Sequence, residues 1–270
     1  MCNTRLICAA RRPFGKHDRL GGPTLPGVDD LPLFPLGTVL FPGVVLPLHI
    51  FEPRYRELVR RLMDAPEGPE REFGIVGIRQ GWEVGPDQVA ALYDVGCTAE
   101  LRQVTGFTDG TFDIVAVGRR RFRLTSVDHH AAPYLHGAVD WLPEEQCPAN
   151  EAALLAASVT SVFGHYLKLL ALGGPTPDGI HPDGLTPADA AAEVDAQIAG
   201  LPTDPLTLSH LVAASAPLTQ EDRQSLLIET STVRRLRLEL RLLKREATML
   251  RRLGAVPVPL AELRVPLSVN

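Results

Sequence analysis

Leu31-Pro32-Leu33-Phe34-Pro35-Leu36, then Phe41-Pro42-Gly43, then Leu46-Pro47-Leu48-His49-Ile50-Phe51-Glu52-Pro53-Arg54-Tyr55, make up the stretch whose reading decides the fold. Pro32, Pro35 and Pro42 forbid a helix, because each lacks a backbone N–H and crowds the preceding turn; they point to edge strands. Phe41-Pro42-Gly43 reads as a turn and Val44 to Leu48 as a second strand. Pro53 suits the first position of a helix, where a missing N–H costs nothing. Tyr55, Leu58, Val59 and Leu62 then recur at i, i+3, i+4 and i+7 and form one apolar face, with Arg54, Arg56, Arg60 and Arg61 mostly outside it.

Further along, Phe73 to Ile78 is a short apolar run, and Cys97 to Arg102 alternates with period two, as a half-buried strand does. Thr108-Asp109-Gly110-Thr111 offers a hairpin turn, after which Phe112, Ile114 and Ala116 share one strand face. Arg121-Phe122-Arg123-Leu124 alternates too, which turns its arginines to solvent, and Leu135, Val139 and Trp141 close the series. Six or seven short strands with one early helix predict a compact mixed or antiparallel sheet, able to curl into a half-barrel. Past Pro143 the apolar spacing changes to steps of three and four. Leu155, Val159, Val162, Tyr166 and Leu169 lie between a helix start at Pro148 and a stop at Gly173-Gly174. Thr186-Pro187-Ala188-Asp189, Asp204-Pro205 and Thr219-Gln220-Glu221-Asp222 have the form of capped helix starts. Ser231 precedes the longest helix, where Val233, Leu236, Leu240, Leu243, Ala247 and Leu250 form a bundle-facing seam. The expectation is an α+β chain: a flexible N-terminal extension 1–28, a β-rich part 29–146, a helical part 147–254 ending in the long helix, and a tail 255–270.

The 270 residues carry a net charge of −5, which argues against a chain-wide nucleic-acid wrap. The cysteines, Cys2, Cys8, Cys97 and Cys147, form no C-x-x-C pair, which fits a reducing compartment and predicts a cytoplasmic protein. Cys97 reads as a small buried apolar residue. The apolar run Ala152 to Leu167 is shorter than the ~18 residues of a membrane span and reads as a core helix. Residues 1–28 hold Arg5, Arg11, Arg12, Lys16 and Arg19 without a continuous apolar core, so they do not read as a secretory signal and are expected to be dispensable for folding.

The Leu31 to Arg56 stretch resembles the opening signature of the Lon protease N-terminal, substrate-binding domain family. Tyr93 to Glu100 is similar to the family's Gly-x-x-Ala strand, and Gly118 to Arg123 to its Gly-x-x-Arg strand. Leu201-Pro202-Thr203-Asp204-Pro205, Leu208-Ser209, Asp222-Arg223-Gln224 and Thr232 to Leu243 extend the likeness, which covers roughly residues 29 to 252. The resemblance implies a PUA-like β pseudo-barrel with one helix, followed by a C-terminal helical bundle. Lon proteases add an ATPase module and a Ser-Lys protease domain. The only Gly-Lys pair, Gly15-Lys16, precedes His17 and so makes no Walker A loop. Lys168 and Lys244 lie within helices of the resembling region and place no Ser-Lys dyad. The expectation is therefore a stand-alone, non-catalytic protein- or peptide-binding module, without cofactor, that takes unfolded or exposed apolar segments of proteins. It would act as an adaptor in protein quality control, with a protease or chaperone as a further partner and no membrane. The alternatives are a nucleic-acid-binding accessory protein using Arg119 to Arg123, which the charge balance disfavours, and a hydrolase with an unrecognised site.

Phe34, Phe41 and the glycine-flanked Trp82 are the peptide-binding candidates, since large aromatics are typical interface anchors. Pro35, Pro42, Gly43, Pro47, Phe51, Glu52, Arg54 and Tyr55 carry the signature and read as structural. His129, His130 and His136 invite a metal reading, but no carboxylates complete such a site, and no metal is expected.

Overall fold

A computed structural model describes residues 29–66, 68–81, 89–172 and 186–253. The extension 1–28, Trp82, the loop after Gly173 and the tail 255–270 lie outside these residues. Six strands come first: β1 (Asp29–Leu36), β2 (Val45–Ile50), β3 (Glu72–Gly81), β4 (Val89–Gly106), β5 (Phe112–Asp128) and β6 (His136–Trp141), with α1 (Pro53–Asp64) between β2 and β3. Five helices follow: α2 (Ala149–Leu172), α3 (Pro187–Ala199), α4 (Pro205–Ser215), α5 (Gln220–Ile228) and α6 (Thr232–Leu253). The fold is α+β, with one mixed sheet.

That sheet closes on itself. Its order is β2-β5-β4-β3-β1-β6, and β5 also pairs with β6, so β5, β4, β3, β1 and β6 form a ring. The closing device is the length of β5. Its first part, Phe112 to Val117, pairs with β2, and its last part, Phe122 to Asp128, pairs with β6. Gly118 sits where the partner changes, and a Cβ there would collide with the Phe41 carbonyl. Only glycine lets the Phe41-Pro42-Gly43 turn approach so closely, and Gly43 itself adopts φ +80°, as a glycine turn does. β1 runs parallel to β3, and the other ladders are antiparallel.

The helix starts follow the local chemistry. Asp204 accepts a hydrogen bond from the Thr207 amide (2.9 Å), Thr219 caps α5 through the Asp222 amide, and Thr186 with Asp189 forms a capping box on α3. Tyr55, Leu58, Val59 and Leu62 form the buried face of α1. Glu52 gives α1 no side-chain cap; instead it pairs with Arg54 at 2.9 Å. On α2, Ala152, Ala156, Val159, Phe163 and Tyr166 face the core, with Leu155, Val162 and Leu169 on its flanks. The helix extends beyond the Ala152 to Leu167 run, and is long and apolar enough, by length and composition, to cross a membrane. Here it packs against α6 and α3.

Among the described residues, barrel and helices share the larger of two core clusters. Phe34, Phe41, Tyr55 and Phe73 from the first half belong to the same buried cluster as Leu208, Val212, Leu226, Leu236 and Leu243 from the second. Cys97 is buried within it, and burial pushes its thiol up to about 12, so it is no thiolate nucleophile at neutral pH.

Candidate functional site

The expected peptide-binding aromatics do not form a surface. Phe34 stacks on Tyr55 with ring centroids 3.9 Å apart, and Phe41 is fully buried 6.3 Å from the His210 ring. The prolines predict an edge strand, but β1 pairs with β3 and with β6 and is interior to the sheet, and both rings serve the core. Trp82 lies outside the described residues. Pro35 is buried in the β1–β3 ladder, while Pro42 and Gly43 make the turn against Gly118. Arg54 lies over the Tyr55 ring at 4.6 Å and braces α1.

The exposed aromatics lie elsewhere. Strand β2 pairs only with β5 among the described strands, so its other side is a free sheet edge. The Gly118 amide donates to the Val44 carbonyl (2.9 Å), and the register runs on through Leu46–Ala116, Leu48–Ile114 and Ile50–Phe112. By antiparallel alternation, Val45, Pro47 and His49 turn their backbone groups outward. Pro47 occupies a position whose N–H would face solvent, the one place a sheet tolerates proline. Beside this edge, Phe51 is 50% exposed and Phe107, at the β4–β5 hairpin, is 46% exposed. The His49 ring lies 6.3 Å from each and is held by Asp113 at 2.7 Å across the ladder. Phe51, expected to be structural, is thus a surface residue. Period two would have found it: Leu46, Leu48 and Ile50 turn toward the body of the protein, so Phe51 turns away.

A second feature lies at the seam between barrel and helices. Arg121 was expected in solvent, yet it is buried. The β4–β5 register passes from Cys97–Arg121 to Ala99–Gly118, so β5 carries an extra residue there, a bulge that breaks period two. Arg119 and Arg120 are consequently both exposed, and Arg121 points inward to the helices. Its Nη1 donates to the carbonyls of Leu227 (2.7 Å) and Glu229 (2.8 Å), and its Nη2 meets the Glu144 carboxylate at 2.6 Å. Arg235 of α6, with no solvent exposure, donates to the same carboxylate (2.9 Å), to the Ser209 hydroxyl (3.0 Å) and to the carbonyls of Glu229 (2.6 Å) and Leu226 (3.3 Å). Burial works to raise the Glu144 carboxyl, but His210, Arg235 and Arg121 outweigh it and hold it below the ordinary range. Burial also pulls the His210 imidazole down to about 4, so it is neutral at physiological pH.

Over this cluster opens a cleft of about 600 Å³, walled by Pro42, Trp141, Leu142, Pro143 and Leu206, with Arg119 and Arg120 at its mouth. Arg120 stacks on Trp141, its guanidinium carbon 3.6 Å from the ring centroid. Elsewhere, His129 and His130 are exposed and His136 bonds Asp30 at 2.9 Å; among the described residues no group of three His, Cys, Asp or Glu is placed to hold a metal ion.

The comparisons with known proteins point one way. Residues 30–245 match the family model of the ATP-dependent protease La (LON) substrate-binding domain. Lon protease 2 of Herpetosiphon aurantiacus is 31% identical over 178 residues, which is 65% of this chain and 20% of that protein. Lon protease 2 of Sorangium cellulosum is 27% identical over 235 residues, 85% of this chain and 26% of that protein. The chain thus spans roughly a quarter or less of these relatives' length. The solved N-terminal domain of Mycobacterium avium complex Lon protease shares the fold, with a TM-score of 0.56 at 18% identity, covering 80% of this chain and 98% of that one. With the family model matching most of its length, this chain belongs to the Lon substrate-binding domain family.

Proposed function

We propose that the chain is a non-catalytic recognition module that captures exposed apolar segments of other proteins in extended form along the β2 edge. The observation that carries this reading is the coincidence of an unpaired sheet edge with Phe51 and Phe107. A peptide strand added there would take its backbone hydrogen bonds from Val45 and His49 and lay alternate side chains on the two phenyl rings. Pro47 withholds one donor from the edge, which restrains two copies from pairing strand to strand. In a reducing cytoplasm, such a module would serve as an adaptor to a protease or chaperone. The nucleic-acid reading loses support because Arg121 is buried and Arg119 is engaged by Glu100.

The test is fluorescence anisotropy with a labelled, permanently unfolded model protein. A buried aromatic anchor is worth about 2 kcal/mol or more, so Phe51→Ala combined with Phe107→Ala should weaken binding about 30-fold or more. Affinity equal to wild type in the folded double variant would overturn the edge site. Affinity that collapses between low and high salt would favour recognition of a charged partner instead.

A further inference from the structure

We propose that the cleft at the seam is a second site, separate from the β2 edge, and that its ligand is the free C-terminus of a polypeptide with an apolar last residue. Its volume falls within the range of about 300–1,000 Å³ usual for ligand clefts, and its walls are mostly apolar. The charge around it is unbalanced. Of the residues that line it, three are arginines, Arg119, Arg120 and Arg121, and one is an acid, Glu144. Arg120, 57% exposed at the mouth, holds Glu72 only at 3.7 Å and keeps donors free for an incoming anion. A third observation comes from the floor. His210 is 4% exposed and lines the cleft, yet its Nε2 makes no hydrogen bond and lies 3.6 Å from Glu144. A buried polar atom without a partner marks a place where a ligand or a bridging water belongs.

These features fit an apolar group and a carboxylate only a few bonds apart. A C-terminal residue carries both on one α-carbon, with the side chain against Trp141, Leu142 and Leu206 and the carboxylate toward Arg120. A chain end also fits better than a continuous strand. Pro42 and Pro143 have no N–H to offer, so the walls pair poorly with a backbone passing through. Guanidinium forks suit a terminal carboxylate geometrically.

The experiment uses three fluorescent hexapeptides with the full chain: one ending in Leu-Leu with a free carboxylate, the same peptide amidated, and an amidated peptide with an internal Glu beside Leu. The free acid should bind, with the amide weaker by about tenfold or more, as loss of a charge-assisted hydrogen bond implies. Arg120→Gln, at an exposed position, should cost about fivefold or more, and Leu206→Trp, which fills the cleft, should abolish binding. Phe51→Ala with Phe107→Ala should leave this peptide's affinity unchanged, while weakening the unfolded model protein. Equal binding of acid and amide overturns the proposal. So does equal binding of the internal-Glu peptide, which would make the occupant an acidic segment. Loss of the free-acid peptide in the Phe51 and Phe107 variant would also overturn it, because the peptide would then lie on the β2 edge.

Discussion

At the β2 edge, phenyl rings that could be buried are left outside; at the seam, charged groups that water would solvate are taken in. Phe51 and Phe107, about half exposed, forgo about half of the roughly 1.5–3 kcal/mol that fully burying each ring would contribute. Arg121 and Arg235 give up hydration, and the structure answers with Glu144 and with main-chain carbonyls of the α5–α6 connection. The difference separates two roles. On the proposed reading the exposed rings meet something outside the chain, whereas the buried ion cluster ties the barrel to the helices.

The largest expected effect comes from breaking the seam. Arg235→Met leaves Glu144 with a buried charge and one partner fewer, and should cost about 3–5 kcal/mol in urea denaturation. A loss under about 1 kcal/mol would mean the cluster does not hold the halves together. The next effect is in pH. His210 is neutral in the folded chain down to about pH 4, while the unfolded chain takes up that proton near pH 6.5. Between these values the unfolded state binds more protons, so stability falls as pH is lowered through this window, by on the order of 3 kcal/mol. Glu144, held below its ordinary range, adds a loss of the same sign at lower pH. His210→Gln should flatten the upper part of that profile, measured by denaturation at several pH values; an unchanged slope would assign it to other groups.

Glu239 sharpens the contrast from the other side. It is fully buried on α6, neither carboxylate oxygen has a hydrogen-bond partner, and burial raises its carboxyl well above the ordinary range. Its contribution has the opposite sign: stability is present at low pH and is lost as pH rises above the unfolded value. Glu239→Met should therefore stabilise the chain at neutral pH by about 1–2 kcal/mol, read from the denaturation midpoint. Destabilisation would reveal a partner for that carboxylate. The smallest effect belongs to the edge. Phe51→Ala and Phe107→Ala should each change stability by no more than about 0.5 kcal/mol, as exposed substitutions do; a loss of 2 kcal/mol would make them core residues.

Where the two regions differ in construction, they also differ in how far the sequence reveals them. Apolar periodicity and caps depend on neighbouring residues, so the α1 face, the Asp204 and Thr219 caps and the turn at Gly43 were readable directly. Phe34 and Phe41, read both as core fill and as groove candidates, belong to the core, because β1 pairs with β3 and with β6 and is no edge. Arg121 was misread for a different reason. Alternation holds at Phe122 and Arg123, but the Leu227 and Glu229 carbonyls close over Arg121, and no local signal in Gly118 to Arg123 announces them. The partners of the seam cluster, Glu144, His210 and Arg235, lie far apart in sequence and carry no shared spacing. Period two along β2 was the one unread signal that pointed to Phe51.

Hydrogen exchange of the full chain, with and without a saturating unfolded model protein, tests the central claim most directly. The account predicts slowed exchange at the outward amides of Val45 and His49, with the amides of Leu46 and Leu48, already bonded to β5, little changed. Protection confined to other elements, with Val45 and His49 exchanging as in the free protein, would contradict it.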